Sequence, residues 1–371
     1  MPSAPDRLDE RLNAFHLERV SGTWAGRLML TRREQDPDAI ILTGGDYLAL
    51  AHHPAIVAAM THALRTPAVH QRQDRTEAEF AGFLGATAAV LCPSGWAANT
   101  GLMQLIADRD IPVYLDERAH RSLREGARGA RAPVVGFRHN DVDDLLAHLS
   151  KHGSGVIAVD AVYGTDGAIC PLADVAEAAR AHNCLLVVDE SHSLGTHGAR
   201  GEGLAARVGA DFRTASLAKA IPGRAGLIVC DRPEFVPYFR HLAYPAVFSS
   251  PLLPHDLAGL SATLSLVKAE DWRRTRLREI TRRLRQEFTA MGYDLEPGHA
   301  HILALGAGRD TDVILARDLL EQRGVYGAAH FPPAGSGERG LVRLSLHAAL
   351  SDQDIDRIVG ACRDIRTLCG F

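Results

Sequence analysis

No apolar stretch in this 371-residue chain approaches the ~18 residues that a membrane-spanning helix needs. The amino terminus, MPSAPDRLDERLNAF, has no apolar signal core and reads as a charged amphipathic helix. The expectation is a soluble, cytoplasmic protein. Cysteine is scarce. Its six copies, at 92, 170, 184, 230, 362 and 369, form no CxxC pair and mostly sit in apolar runs, so buried free thiols are expected rather than disulfides or a metal site. Charge of one sign is also lacking. A formal net charge of −4 gives no support to nucleic acid or an anionic membrane as a partner. No GxSxG elbow accompanies a Ser-His-Asp order, so a hydrolase has no support.

What is present is an ordinary globular composition, 46% apolar and 23% charged, on a chain long enough for a large domain and a smaller one. Short apolar runs alternate with helical patterns. AIILTG (39–44), AAVLC, IPVYLDE, APVVGF, GVIAVD, CLLVVDES, TASLA and GLIVCDR read as strands. HPAIVAAMTHAL, DVDDLLAHLSKH and LADVAEAARAH read as helices between them. This alternation predicts an α/β fold with a mostly parallel sheet covered on both faces. After about residue 235 the pattern becomes Pro-punctuated long helices, then HILALGAG and LVRLSLHAA flanking a helix. A final helix is expected to start from Ser351 as N-cap. The expected division is an amino-terminal segment 1–45, a large α/β domain 46–235 and a small carboxyl-terminal α+β domain 236–371.

Ligands of such sheets lie beyond the carboxyl ends of the strands, so residues there are the candidates. Asp189 ends LLVVD and is followed by Glu190, His192 and a glycine-rich loop. A carboxyl at the end of a buried strand needs a partner. A protonated pyridine nitrogen would serve; so would a helix cap or an arginine, and the three residues together could hold a metal. Lys219 lies thirty residues on, among small residues, with hydroxyls at Thr214 and Ser216. A Schiff-base lysine needs such desolvation and room, although a lone lysine after a strand is usually a surface residue. Ser94, Gly95 and Trp96 form a turn that opens a helix, and exposed N–H groups there suit a phosphate. The turn is neither a GxxxxGK[ST] nor a GxGxxG loop. His120 follows a strand and could stack on an aromatic ring or simply be a core histidine. His197 and His347 carry no assignment.

In this order and spacing the segments resemble the α-oxoamine synthase family of fold-type-I pyridoxal 5′-phosphate (PLP) enzymes. GDYLALAHHP, PSGWAAN, DERAHRSLREG, FRHND and DESHSLGTHGARGEG resemble its NYLGLxxxP, SGYxAN, DxxxHxSxxxG, FxHND and DExHSxGxxGxxGxG segments. The closest likeness is to the quorum-sensing autoinducer synthases of the CqsA type, whose lysine segment TASLAKAIPGRAG resembles. The resemblance implies a fold-type-I transferase whose cofactor is PLP, anchored on Lys219. Ser94, Gly95, Trp96 and Ser216 would take its phosphate, His120 its ring face, Asp189 its pyridine nitrogen and His192 the side of its ring hydroxyl. VFSSPLLP resembles FSTxLPP, so Ser250 would reach the phosphate of a partner subunit, implying a homodimer with shared sites. LVRLSL resembles RLRxxL, so Arg343 would hold a substrate carboxylate bidentately.

The implied reaction joins an acyl-CoA to an amino acid or S-adenosylmethionine-derived donor and gives an α-aminoketone, with Lys219, His120, Asp189 and His192 catalytic. Alternatives are 8-amino-7-oxononanoate synthase, 2-amino-3-ketobutyrate CoA ligase or a serine palmitoyltransferase-like enzyme. One of another class is a non-catalytic PLP-fold binding protein. Three departures stand out. Ala218 precedes Lys219 where the wider family often has serine, Gly164 in VYGTDG replaces a serine, and VHQRQDRTEAEF lacks a glycine-rich GSR stretch.

Overall fold

The computed structural model describes residues 3–17, 36–65, 73–331 and 340–369. Twelve strands follow one another along these residues: β1 (Ile40–Ile41), β2 (Ala88–Cys92), β3 (Val113–Asp116), β4 (Val134–Phe137), β5 (Val156–Asp160), β6 (Leu185–Asp189), β7 (Phe212–Ala218), β8 (Pro222–Cys230), β9 (Ile302–Gly308), β10 (Val325–Tyr326), β11 (Ala328–His330) and β12 (Gly340–Ser345). Seven form one sheet in the order β2-β8-β7-β6-β5-β3-β4. The pairs β3/β4, β3/β5, β5/β6 and β6/β7 are parallel; β8 runs against both β7 and β2.

Connection length explains that one reversal. Helices Gly95–Ile106, Arg121–Gly129, Val142–His152 and Leu172–Ala181 supply crossovers long enough for parallel pairing. Between β7 and β8 only Lys219, Ala220 and Ile221 intervene, so the chain must turn back on itself. As a result β2, β3, β5, β6 and β7 all deliver their carboxyl ends to one edge of the sheet. Ser94, Asp116, Asp160, Asp189 and Lys219 are therefore neighbours across strands although 125 positions separate the first from the last.

Both faces of this sheet are buried, so its strands are apolar throughout rather than alternating with polar residues. Val156 and Ala158 of β5, with Val187 of β6, pack toward helices Gly95–Ile106 and Arg121–Gly129. Ile157, Val159, Leu186 and Val188 face the opposite way, toward helices Val142–His152 and Leu172–Ala181. A third apolar cluster takes the inner faces of β7 and β8 and continues from Ile40 through Leu257 and Phe288 to Ile365. A smaller antiparallel sheet, β11-β12-β9, lies within 302–345. The expected strand 39–44 shrinks to Ile40–Ile41, because its parallel partner is only Val325–Tyr326.

Helix ends follow the sequence. Ser351 caps Asp352–Cys369: its hydroxyl accepts from the Asp354 N–H (3.1 Å) and donates to the Asp354 carboxylate (2.7 Å), a cap contributing about 1 kcal/mol. Ser3 and Asp6 do the same for Ala4–Phe15, a helix that buries none of its side chains. The arginine-dense helix Trp272–Ala290 spends much of its charge on the terminal helix, with Arg276 on Asp352 and Arg283 on Asp356. Among the described residues no helix is long and apolar enough to cross a membrane.

Glu190, just past β6, is a structural acid. Its Oε1 accepts from the N–H groups of Leu204 (2.7 Å) and Ala205 (2.6 Å). A Cβ at Gly203, where φ is +92°, would overlap its carboxyl group. Burial raises Glu190 to about 7, against the opposing pull of those N–H groups and Arg213. A carboxyl raised on folding contributes stability that is fully present below its unfolded value and lost as pH rises through the folded one. Glu190→Gln removes this titration. The stability of the variant relative to the wild type, measured by urea unfolding, is expected to rise by about 3 kcal/mol between pH 4.5 and pH 8. A difference that stays constant with pH contradicts a neutral Glu190.

Candidate functional site

The carboxyl edge carries three strand-terminal aspartates, and each is satisfied differently. Asp116 accepts from the backbone N–H groups of Arg118 (2.8 Å) and Asn140 (2.9 Å) and bonds His139 Nδ1 at 3.0 Å. Burial alone would raise it, but these contacts together hold it below the usual carboxylate range. Asp160 accepts from the His120 N–H (3.1 Å). Burial first, then the neighbouring Asp189, pushes it well above that range. Asp189 accepts from the Ser191 N–H at Oδ1 (2.8 Å) and from Asn99 Nδ2 at Oδ2 (2.7 Å). Glu190 is turned away into its own loop, which separates it from Asp189 and His192.

The turn Ser94–Gly95–Trp96 sits directly on the β7–β8 hairpin. Ser94 caps helix Gly95–Ile106, accepting from the Ala97 N–H at 3.1 Å. A Cβ on Gly95 would come within 2.7 Å of Ser216 Cβ, and one on Gly226 would collide with the Ser94 carbonyl. Only glycines allow this approach. The Ser216 N–H donates to Ser191 Oγ (2.7 Å), so the turn, Ser216 and Asp189 form one connected surface.

Lys219 occupies the hairpin turn itself, with Gly45 packed against its side chain. Burial lowers its affinity for a proton, Arg343 lowers it further, and Asp189 and Asp160 pull the other way. Arg343 reaches in from β12. Its Nη1 donates to the Gly164 carbonyl (2.7 Å), while its buried Nε has no partner. His192 Nδ1 bonds the Tyr47 hydroxyl at 2.6 Å. Burial first, then Lys219 and Arg343, holds this histidine well below its usual range, so it is neutral. The Tyr47 phenol is raised by burial and keeps its proton. A Cβ at 164 would overlap His192 Nε2, so Gly164 is what lets the imidazole lie there.

His120 caps helix Arg121–Gly129 and faces Trp96 edge-on, ring centres 6.2 Å apart. Its Nδ1 lies 2.6 Å from Ser122 Oγ. The edge thus brings together Ser94, Gly95, Trp96, His120, Asp189, His192, Ser216 and Lys219, with Arg343 opposite. Ser250 is not among them. It lines a separate surface cavity of about 450 Å³ with Cys92, Pro93, Phe239 and Arg240. Of the stretch without GSR, residues 69–72 lie outside the described residues; the rest begins helix Gln73–Leu84.

Sequence reasoning passed over Asn99, Tyr47, Ser191 and Asp160. Asn99 and Tyr47 stand inside segments already singled out, and Asp160 ends a strand as Asp189 does. Those were available signals. The site fits PLP on its own geometry: a desolvated amine, a glycine turn packed against Ser216, an acid with two fixed donors, and a buried guanidinium with a free N–H. Gly226→Ala is expected to displace the Ser94–Gly95 turn and weaken PLP binding at least roughly tenfold, read by absorbance titration. Unchanged affinity would remove the turn from the cofactor site.

A family model for class I and II aminotransferases matches residues 37–361. The CAI-1 autoinducer synthase of Vibrio campbellii is 38% identical over 353 residues, covering 91% of this chain and 89% of its own. A putative 8-amino-7-oxononanoate synthase of Geobacillus kaustophilus is 29% identical over 362 residues, covering 90% and 93%. Among solved structures, a serine palmitoyltransferase from S. paucimobilis with bound PLP and myriocin superposes with a TM-score of 0.85 at 26% identity, covering 91% and 89%. The family match takes in the whole of both larger sheets, and on it the protein belongs to the class I and II aminotransferases, within their PLP-dependent α-oxoamine synthase branch.

Proposed function

We propose that this protein is a PLP-dependent C-acyltransferase that joins an acyl-CoA to an α-amino donor and releases an α-aminoketone of the autoinducer type. The observation that carries the reading is the pairing of Lys219 with Arg343: an amine made less basic by burial and by that guanidinium, whose own buried Nε is unpartnered. A donor bearing both an amino group and a carboxylate matches that pair.

Lys219 would anchor the cofactor, the Ser94–Trp96 turn and Ser216 would take its phosphate, and Asp189 would meet its pyridine nitrogen. When bound, PLP supplies an electron sink for a carbanion at the donor Cα. Arg343 binds the donor carboxylate and so fixes which Cα bond is aligned for cleavage. Lys219, as a free amine after donor binding, takes the Cα proton. His120 presents a donor to the thioester carbonyl, and neutral His192, held by Tyr47, lines the side of the ring hydroxyl. In sum a C–C bond forms from Cα to the thioester carbonyl carbon, the C–S bond breaks to release CoA as a thiolate that takes a proton from solvent, the donor carboxylate leaves as CO₂, and the proton held by Lys219 returns to Cα.

The second subunit belongs to this proposal. Ser250 is exposed, and it lies within an exposed apolar stretch that includes Tyr244, Val247, Phe248 and Leu253. Such a patch suits a second copy of the chain, to whose site Ser250 would be presented. Cys92, Cys170, Cys184, Cys230 and Cys362 are free and buried, which accords with a reducing cytoplasm. We also divide the chain at residues 45 and 235, with the seven-stranded and three-stranded sheets on either side of the second boundary.

The 8-amino-7-oxononanoate synthase reading shares this geometry and is favoured by relatives of that name. Product mass spectrometry with a mixture of acetyl-, pimeloyl- and medium-chain acyl-CoA separates the two. A medium-chain aminoketone is expected to dominate. A dominant pimeloyl product would support the alternative, and no condensation with any thioester would refute both.

A further inference from the structure

The helix Gly95–Ile106 brings one side chain over the end of β6 that no role above requires. Asn99 is 2% exposed, and its Nδ2 donates to two acceptors: Asp189 Oδ2 at 2.7 Å and Ser122 Oγ at 2.8 Å. Its Oδ1 is buried and has no partner. The reverse amide orientation would set a carbonyl oxygen against the Asp189 carboxyl oxygen, so the contacts fix the direction of the amide. An amide that leaves one end unsatisfied to keep two donors in place marks those donors as the constrained feature.

The chain of contacts continues. Ser122 is fully buried, and its Oγ, accepting from Asn99, lies 2.6 Å from His120 Nδ1. The Ser122 backbone N–H points at the same Nδ1 (3.4 Å), and the His120 backbone N–H is held by Asp160. A nitrogen facing a backbone N–H must be an acceptor, so the serine proton points to Nδ1 and the ring proton sits on Nε2.

We infer that Asn99 and Ser122 are positioning residues that lock His120 in its Nε2–H tautomer and tie that choice to the Asp189 carboxyl. The inference rests on the proposed reading of this edge as the PLP site, and it gives His120 a definite chemical form there: a neutral N–H donor aimed away from Ser122. It also links the two ends of the site. Whatever changes the hydrogen bonding of Asp189 is felt at His120 through one amide and one hydroxyl.

Selectively ¹⁵N-histidine-labelled, full-length, PLP-loaded protein tests this, with the His120 signal identified by its loss in His120→Gln. The wild type is expected to show an unprotonated Nδ1 and a protonated Nε2. Ser122→Ala is expected to shift His120 toward a mixture of tautomers. Asn99→Asp, which keeps the size of the side chain and removes both donors, is expected to do the same and to move the pH profile of kcat. Both variants should lose roughly tenfold or more in kcat with KM for the thioester changed less than about threefold. Thermal melting checks that each variant folds. A His120 protonated on Nδ1 in the wild type overturns the inference, and so does a tautomer unmoved in both folded variants. The tautomer is read even if no cofactor absorbance appears, so failure of the PLP reading is distinguished from failure of this one.

Discussion

A carboxyl group buried at the end of a strand must be given donors or a proton, and three of them stand side by side here. Their burial at the edge formed by β3, β5 and β6 sets the chemistry of the whole site. Asp116 is satisfied by His139 and two backbone N–H groups, and serves as a structural knot. Asp160, pressed by burial and by Asp189, is the one held toward its neutral form. Asp189 keeps both oxygens occupied by single donors, Ser191 and Asn99, and so stays oriented without being enclosed. One edge thereby carries a paired acid, an acid pushed toward its neutral form and an acid held by one donor on each oxygen.

Strand polarity put these groups in one place. A three-residue hairpin forces β8 to run backward, and that same turn is where Lys219 sits. The close seat of the Ser94 turn on Gly226 and of Gly95 on Ser216 then ties the start of helix Gly95–Ile106 to the lysine end. The Gly164 departure finds its reason in the same packing. A side chain there would expel the His192 imidazole from its contact with Tyr47, and the Gly164 carbonyl is also what steadies Arg343. Glycine at 164 is thus part of how the Arg343 side of the edge is built.

Much of this was legible in the sequence because a sheet buried on both faces spells out its strands as apolar runs ending in acids. LLVVD, VYLD and VIAVD announce their own ends, and Ser351 its helix. The places of Asp189 and Lys219 at the ends of strands were readable from the same apolar runs. Asn99 lay inside the PSGWAAN segment already singled out, but its contact with Asp189 was not legible, since an asparagine inside a helix reads only as a weak helix former. Its role arises from where helix Gly95–Ile106 is seated over β6. The Tyr47–His192 contact joins residues 145 positions apart, and no periodicity reports such a pair. The strand at 39–44 was read too long because its length is set by the two-residue partner at Val325–Tyr326 rather than by its own apolar run.

The central claim is that Lys219, at the hairpin between β7 and β8, is the residue that carries PLP. Borohydride reduction of the PLP-loaded protein followed by peptide mapping tests it most directly. The account predicts a single reduced pyridoxyl adduct on the peptide containing Lys219, and none in Lys219→Ala. An adduct on another lysine, or one retained in the Lys219→Ala protein, would contradict it.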